Sequence, residues 1–394
     1  MSQTLRPRSL FVSACAGIFV FGTVLAILGT VFGLPAMRAR LHVNLAQEGT
    51  LLLLLYLGIF AASLVVGPLI DHLGYKLNVL LSSLIVASAM VSFAGAHSFG
   101  GATAAVILLG MGGGGLNTST NALVSGLYGG QRGPMLNLLG IFFGVGAISV
   151  PLLATSIEGH FTIPQLFLLC AVLAFGCALW YAVISFPLAR TKQAFSWREL
   201  LGVAKYDGVL LLAFILFLES GNEACIGGWT STYVDAAGYS QRIATLVLVV
   251  YWAALMLGRI LAARVLRRIG KSQLVVSTAL LSLGGCAILL SARSLGFLLA
   301  GTALIGLSYG PIFPTTLAIA GDRYSQRAGT VFGLLFSIAL IGGMMFPWAF
   351  GQVSQRVSVR AGMTLPGLGA VGIIGLSIAI MSRERHSATT PNFA

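Results

Sequence analysis

The chain reads as long apolar runs broken by short polar connections. Runs such as LLLLLYLGIFAASLVVGPLI have neither the period-two alternation of a membrane β-strand nor the polar face of a soluble helix. A helix that crosses the hydrocarbon of a bilayer needs about 20 mostly apolar residues. Cutting the chain between its charges gives twelve such segments, at 9–37, 50–70, 77–97, 101–128, 134–157, 161–187, 208–233, 243–265, 273–292, 295–321, 329–351 and 361–382. The first follows the basic residues Arg6 and Arg8. It exceeds the apolar core of a cleaved signal, about 7–15 residues, and eleven more segments follow, so a first membrane helix is expected there.

Composition agrees and excludes alternatives. Of 394 residues 57% are hydrophobic and 8% charged, against about 45–50% and 25% in soluble domains. A cytosolic enzyme is excluded for want of a charged shell. Disorder is excluded by 23 Phe and a mean hydropathy of +0.95. The net charge of +13 is explained by where the charges fall. With both termini placed in the cytoplasm, only Arg38, Arg40, Arg242, Arg293, Arg356 and Arg360 of the 23 Lys and Arg lie outside. This is the positive-inside pattern of a protein integral to the plasma (bacterial inner) membrane. The lipid bilayer, with some attraction to anionic lipid, then accounts for the basicity, and no nucleic-acid partner is expected. The five cysteines fall inside spans and behave as small apolar residues, with no CxxC or His-rich pairing. No metal and no cofactor are expected. The five histidines are scattered near span ends and loops, as interfacial residues are.

Shifting the first half by 196 positions lays Gly74 on Gly270, Gly110 on Gly306, Gly114 on Gly310, Gly133 on Gly329, Gly146 on Gly342 and Pro151 on Pro347. The shift equals six spans. It divides the chain into an N-terminal six-helix bundle at 1–189, a polar cytoplasmic linker at 190–207 able to form an interfacial helix, and a C-terminal six-helix bundle at 208–394. An all-α membrane protein of twelve transmembrane helices in two pseudo-symmetric bundles resembles the major facilitator fold. Gly67, Asp71, Gly74, Tyr75 and Lys76, in GPLIDHLGYK, resemble the G-x-L-x-D-x-x-G-x-K/R signature of those transporters. Glycines there permit a tight turn, Asp71 can cap or pair, and Lys76 meets headgroups. Gly258, Arg259, Arg268, Gly270 and Lys271 form a degenerate counterpart. The resemblance implies that Gly67, Asp71, Gly74, Lys76, Arg259 and Arg268 serve a cytoplasmic gate rather than touching substrate.

Four further stretches resemble the fucose:proton symporter-like branch, the sugar-transporting facilitators. GMGGGGLNTSTNALV is similar to a glycine run followed by L-E-T-x-x-N, and MLNLLGIFFGVGAISVP to L-N-L-x-x-x-F-x-x-x-G-A. The stretch from Gly221 to Trp229 is similar to G-x-E-x-x-I-G-x-F/W, and YGPIFPTTLAIA to an I-M-F-P-T run. The chain departs from that branch as well. Asn117 stands where a glutamate is frequent, Gly140 and Phe143 replace a polar pair, and span one has no carboxylate. The N-terminal half is therefore drier, and the proton site is not carried over from the family.

The residues themselves point to span seven. Of 10 Asp and Glu, only Glu219 and Glu223 lie within a span. An ionisable group near the bilayer centre costs about 2.5–3.5 kcal/mol on insertion scales, so such groups mark ion or substrate paths. Spacing of four puts both on one helical face. With no Lys or Arg in the same segment, both should not ionise at once, because desolvation and mutual repulsion oppose the second charge. The pair is expected to carry a proton, Glu223 first because it matches the family motif. The alternative is that both merely hydrogen-bond neighbouring helices. Gly221, Gly227 and Gly228 beside them, with Pro311 and Pro314, fit interrupted helices around a midplane site or, equally, close helix packing.

Sugar recognition needs amides and carboxyls for hydroxyls and aromatic faces for the ring. Asn117, Asn121, Asn137, Asn222 and Glu223 supply the first, and Trp229, Trp252, Tyr251 and Tyr309 the second, unless these aromatics serve packing or the interface belt. The reading is a secondary active transporter working by alternating access, expected as a monomer, moving a sugar-like small molecule with protons. An exporter of amphipathic compounds or drugs stays open as an alternative, favoured by Phe143 and the shortage of charges in the N-terminal half, and so does a non-transporting sensor on the same scaffold. A membrane-embedded enzyme would need a catalytic set such as HExxH, which the sequence lacks.

Overall fold

The computed structural model describes residues 7–128, 132–156, 162–187 and 202–389. Most of the linker expected at 190–207 lies outside these residues, as do Arg6, Glu158, Arg190, Lys192 and Arg198. Among the described residues there is no strand, and eleven helices are long and apolar enough to cross a membrane. In chain order the elements are α1 (Pro7–Phe32), α2 (Pro35–Leu41), α3 (Leu45–Ala94), α4 (Phe99–Tyr128), α5 (Arg132–Ser156) and α6 (Ile163–Val183). Then come α7 (Val209–Ala236), α8 (Gln241–Val265), α9 (Lys271–Leu290), α10 (Leu295–Arg323), α11 (Ala328–Arg356), α12 (Val359–Gly362) and α13 (Leu365–Thr389).

The 50-residue α3 is two spans in one. Its backbone breaks at Gly74, with φ 78 and ψ 168, a conformation that glycine adopts without a Cβ penalty. The two limbs are the second and third expected spans, so the eleven long helices among the described residues account for twelve crossing segments. The expected first span, 9–37, is corrected at its end. The helix stops at Phe32 because Gly33 packs against Ser231 and Pro35 starts α2, which disfavours helix at the residue before it.

Local chemistry closes the helix ends and quiets the polar groups inside them. Asn44 and Gln47 exchange side-chain and backbone hydrogen bonds at the start of α3, a capping box. The hydroxyls of Ser13, Thr23, Thr30, Thr120, Thr278 and Thr316 donate to carbonyls three or four residues back, 2.7–2.8 Å away. Each is thereby satisfied without leaving its own helix, as an apolar surrounding requires.

The chain divides into two compact units, one of Met1–Phe195 with Gly228–Val249 and the other of Ser196–Gly227 with Val250–Ala394. In the first, α3 packs on α4 and α6, and α1 on α4 and α5; in the second, α9 packs on α10 and α13. The repeat seen in the sequence recurs as packing. In the first unit Gly110 is covered by the Leu55 carbonyl and Gly114 by Ile59. In the second, Gly306 is covered by the Tyr251 carbonyl and Gly310 by that of Leu255. The covering residues are themselves related by the same shift of 196 positions. These glycines are small because another helix backbone lies where a side chain would be.

Candidate functional site

The chemistry gathers on α7 within the second unit. Glu219 and Glu223 sit one turn apart, and their carboxyls interact with one another. Glu219 is fully buried, and neither of its oxygens has a donor in hydrogen-bond geometry among the described residues. The side chain of Glu223 is 18% exposed, and its Oε2 lies 3.6 Å from a terminal guanidinium nitrogen of Arg259 on α8. At that separation the contact is an ion pair rather than a hydrogen bond. The Tyr251 hydroxyl, also on α8, donates to the Glu223 backbone carbonyl at 3.3 Å. That bond fixes α8 against the turn of α7 carrying the acids.

This corrects the sequence reading in one respect. The absence of a cation within span seven does not leave the acids without one, because the neighbouring helix supplies it. Of the two arginines expected at the cytoplasmic gate, Arg259 reaches Glu223 with its guanidinium while Arg268 is exposed beyond the end of α8. The signal lay in the sequence. Arg259 stands in LMLGRILAA, inside the expected span 243–265.

The count of charges then becomes informative. Two carboxylates face one guanidinium, and a single proton makes the set neutral. An unpaired buried carboxylate costs several kcal/mol or takes up a proton instead. The arrangement can therefore hold one exchangeable proton without stranding a charge.

Other expected residues surround it. Asn222 is fully buried, with neither amide atom in a hydrogen bond among the described residues, and lies against Gly369 of α13, where an added Cβ would come within 2.7 Å of Nδ2. Tyr309 on α10 is fully buried beside Cys286, Cys225, Tyr251 and Glu219. Trp252 stacks obliquely on Tyr251, with centroids 5.1 Å apart, and its ring covers Gly227 at 2.9 Å from where a Cβ would be. The glycine beside the acids is thus a packing requirement of Trp252. All five cysteines are buried and free of disulfides.

The remaining expected substrate residues belong to the first unit. Asn117 and Asn121 are half-buried on α4, and the Asn121 amide donates to both Oδ1 and the carbonyl of Asn117, at 2.9 and 2.8 Å. Asn137 is exposed on α5. Trp229 is fully buried with its ring 6.0 Å from that of Phe32. Of the gate residues, Gly74 makes the break in α3, its carbonyl accepting from Asn78 at 2.8 Å. Gly67 has open space around it, Asp71 is half-buried, and Lys76 is exposed.

Sequence reasoning also missed an ion pair. Glu48 precedes the expected span 50–70, and the structure buries it completely in the first turn of α3. Arg38 of α2 holds it, with Nε to Oε1 at 3.0 Å and a terminal nitrogen to Oε2 at 3.4 Å, and also donates to the Phe32 carbonyl at 3.1 Å. One arginine thus ties the end of α1, the short α2 and the start of α3.

Comparison with known proteins follows the same lines. A family profile described as Major Facilitator Superfamily matches residues 14–347 and 241–393. An uncharacterized transporter of Sinorhizobium fredii, y4wD, is 23% identical over 85% of this chain and 89% of its own. The glucose/mannose transporter GlcP of Bacillus subtilis is 26% identical over 69% of this chain and 70% of its own. Among solved structures, the nucleoside transporter NupG is similar with a TM-score of 0.79 at 12% identity, covering 95% of this chain and 99% of that one.

Proposed function

This chain belongs to the major facilitator superfamily, and we propose that it moves a sugar or sugar-like small solute together with protons by alternating access. The observation that carries the reading is the Glu219, Glu223 and Arg259 set, two acids and one guanidinium on adjacent membrane helices. Proton uptake neutralises the set, and proton release restores the net negative charge. A carrier that changes access only in the neutral state couples the movement of solute to that proton. Glu223, partly exposed and paired, is the member that exchanges; Glu219, sealed from solvent, holds the proton within the unit. Asn222, Trp252 and Tyr309, in the unit that holds the acids, offer an amide and rings of the kind a sugar needs; Asn117, Asn121, Asn137 and Trp229 stay candidates by residue type.

The sugar reading is supported by the similarity to GlcP, a glucose/mannose transporter, and by the resemblance to family motifs around Asn121 and Glu223. Of the two grounds for an exporter of amphipathic compounds or drugs, Phe143 and the shortage of charges in the N-terminal half, the first is a ring buried against Phe21 with centroids 5.7 Å apart. The test of cargo is counterflow in proteoliposomes, screening monosaccharides, nucleosides and lipophilic cations at two pH values. Accumulation of labelled monosaccharide against unlabelled monosaccharide supports the reading; exchange confined to lipophilic compounds refutes it.

A further inference from the structure

The connection that follows α8 reverses the charge of its counterpart. Under the shift of 196 positions, Asp71 and His72 of the α3 break correspond to Arg267 and Arg268. Arg264 stands one turn earlier, and all three arginines are exposed. Helical hydrogen bonding continues past the end of α8, Leu266 N donating to the Ala262 carbonyl at 2.9 Å and Ile269 N to that of Val265 at 3.1 Å. Arg264 in the last turn of α8 and Arg267 and Arg268 in the turn that follows therefore lie along one continuous stretch of helical hydrogen bonding.

Two features separate this cluster from ordinary basic residues at a membrane border. The first is the shortage of counter-charge among the described residues at that end of the unit. Asp322 is taken by Lys271, and Asp207 by Arg323 and Arg383. Among the described residues no ion pair reaches Arg264, Arg267 or Arg268. The helix C-terminus offers them about half an elementary negative charge, far short of three. The second feature is the surface they continue. Leu257 and Ile260 are 50% and 47% exposed, and spacings of three and four place them on the face that leads to Arg264 and on to Arg267 and Arg268. An apolar stripe that ends in three guanidiniums with no ion pair among the described residues matches the acyl chain and phosphate of one lipid molecule.

We propose that Arg264, Arg267 and Arg268 bind the headgroup phosphate of an anionic phospholipid whose acyl chain lies along Leu257 and Ile260. Guanidiniums suit this task because their forked donors meet phosphate oxygens in pairs. Each basic side chain near an anionic surface contributes about 1 kcal/mol, roughly a fivefold gain in affinity.

The experiment places purified full-length protein in phosphatidylcholine nanodiscs doped with dansyl-phosphatidylglycerol and follows tryptophan-to-dansyl energy transfer during titration. Wild type enriches the anionic probe around itself, and the triple variant Arg264→Gln, Arg267→Gln, Arg268→Gln weakens that enrichment at least tenfold. A charge-matched variant, Arg242→Gln, Arg293→Gln, Arg356→Gln, removes three exposed arginines from the other ends of the helices and stays within twofold of wild type. Should the first triple variant fail to fold, Arg267→Gln alone reads the same effect at about fivefold. Equal loss in both triple variants would reduce the effect to net charge and overturn the proposal. So would displacement of the probe by inorganic phosphate at the lipid's own concentration, which would make the site one for a soluble anion.

Discussion

Replacing Gly306 by alanine tests whether the repeat is held together by backbone contact. A Cβ there would stand 2.5 Å from the Tyr251 carbonyl oxygen, 3.0 Å from the Ala254 Cβ and 3.1 Å from Leu255 N. Carbon–oxygen contacts between packed helices settle at about 3.3–3.6 Å, so α8 and α10 would have to separate by about 1 Å. Overpacking of this kind costs about 1–3 kcal/mol. Alanine recovers about 1 kcal/mol of helix propensity, leaving a net loss of up to about 2 kcal/mol. Gly110→Ala, which drives a Cβ into the Leu55 carbonyl, falls under the same arithmetic. Gly176, Gly284 and Gly375 have nothing within 4 Å of the added carbon, so alanine there gains propensity without collision. Thermal and denaturant unfolding of the purified variants in one detergent should rank Gly306→Ala and Gly110→Ala below wild type, and the three open-site variants at or above it. If Gly306→Ala and Gly110→Ala unfold together with the open-site variants, the close-contact account of the repeat is wrong.

Other outcomes follow from single contacts. Removing the counter-ion of a buried acid costs about 3–5 kcal/mol, so Arg38→Met should destabilise the protein severely, while Arg38→Met with Glu48→Leu recovers most of the loss in a double-mutant cycle. Gly369→Ala collides with the Asn222 amide, and the strain should vanish in an Asn222→Ala background, read as non-additive unfolding free energies. Burial holds the Tyr324 hydroxyl above its ordinary range, opposed in part by the Arg323 charge, while it donates to the Asp207 carbonyl. A raised value in the folded state means stabilisation present below about pH 10 and lost as pH climbs through the folded value. Stability in the alkaline range should therefore decline less steeply in Tyr324→Phe.

Much of this molecule was legible because a membrane imposes one-dimensional rules. Span lengths, the break at Gly74 and the 196-residue repeat follow from hydropathy and glycine spacing, and each has a counterpart in the structure. What the sequence did not yield was partnership through space. Arg259 looked like a gate residue because its neighbours in sequence are loop arginines, yet its side chain turns to a glutamate 36 positions earlier on another helix. Glu48 looked wet because it follows a polar turn, and only the fold shows Arg38 bent back over it. Aromatic residues were the least readable. Trp229 and Trp252 satisfy equally the pattern for a sugar platform and the pattern for a core, and the rings and glycines beneath them belong to residues remote in sequence.

The central claim is that the acids of α7 couple movement to protons through a charge set completed by Arg259. Proteoliposomes carrying wild type, Glu223→Gln or Glu219→Gln, loaded under an imposed pH gradient, separate coupling from carriage when accumulation and equilibrium counterflow are measured side by side. Loss of gradient-driven accumulation in Glu223→Gln with counterflow retained is the result this account predicts. Gradient-driven accumulation that persists at the wild-type level in both Glu223→Gln and Glu219→Gln would contradict it.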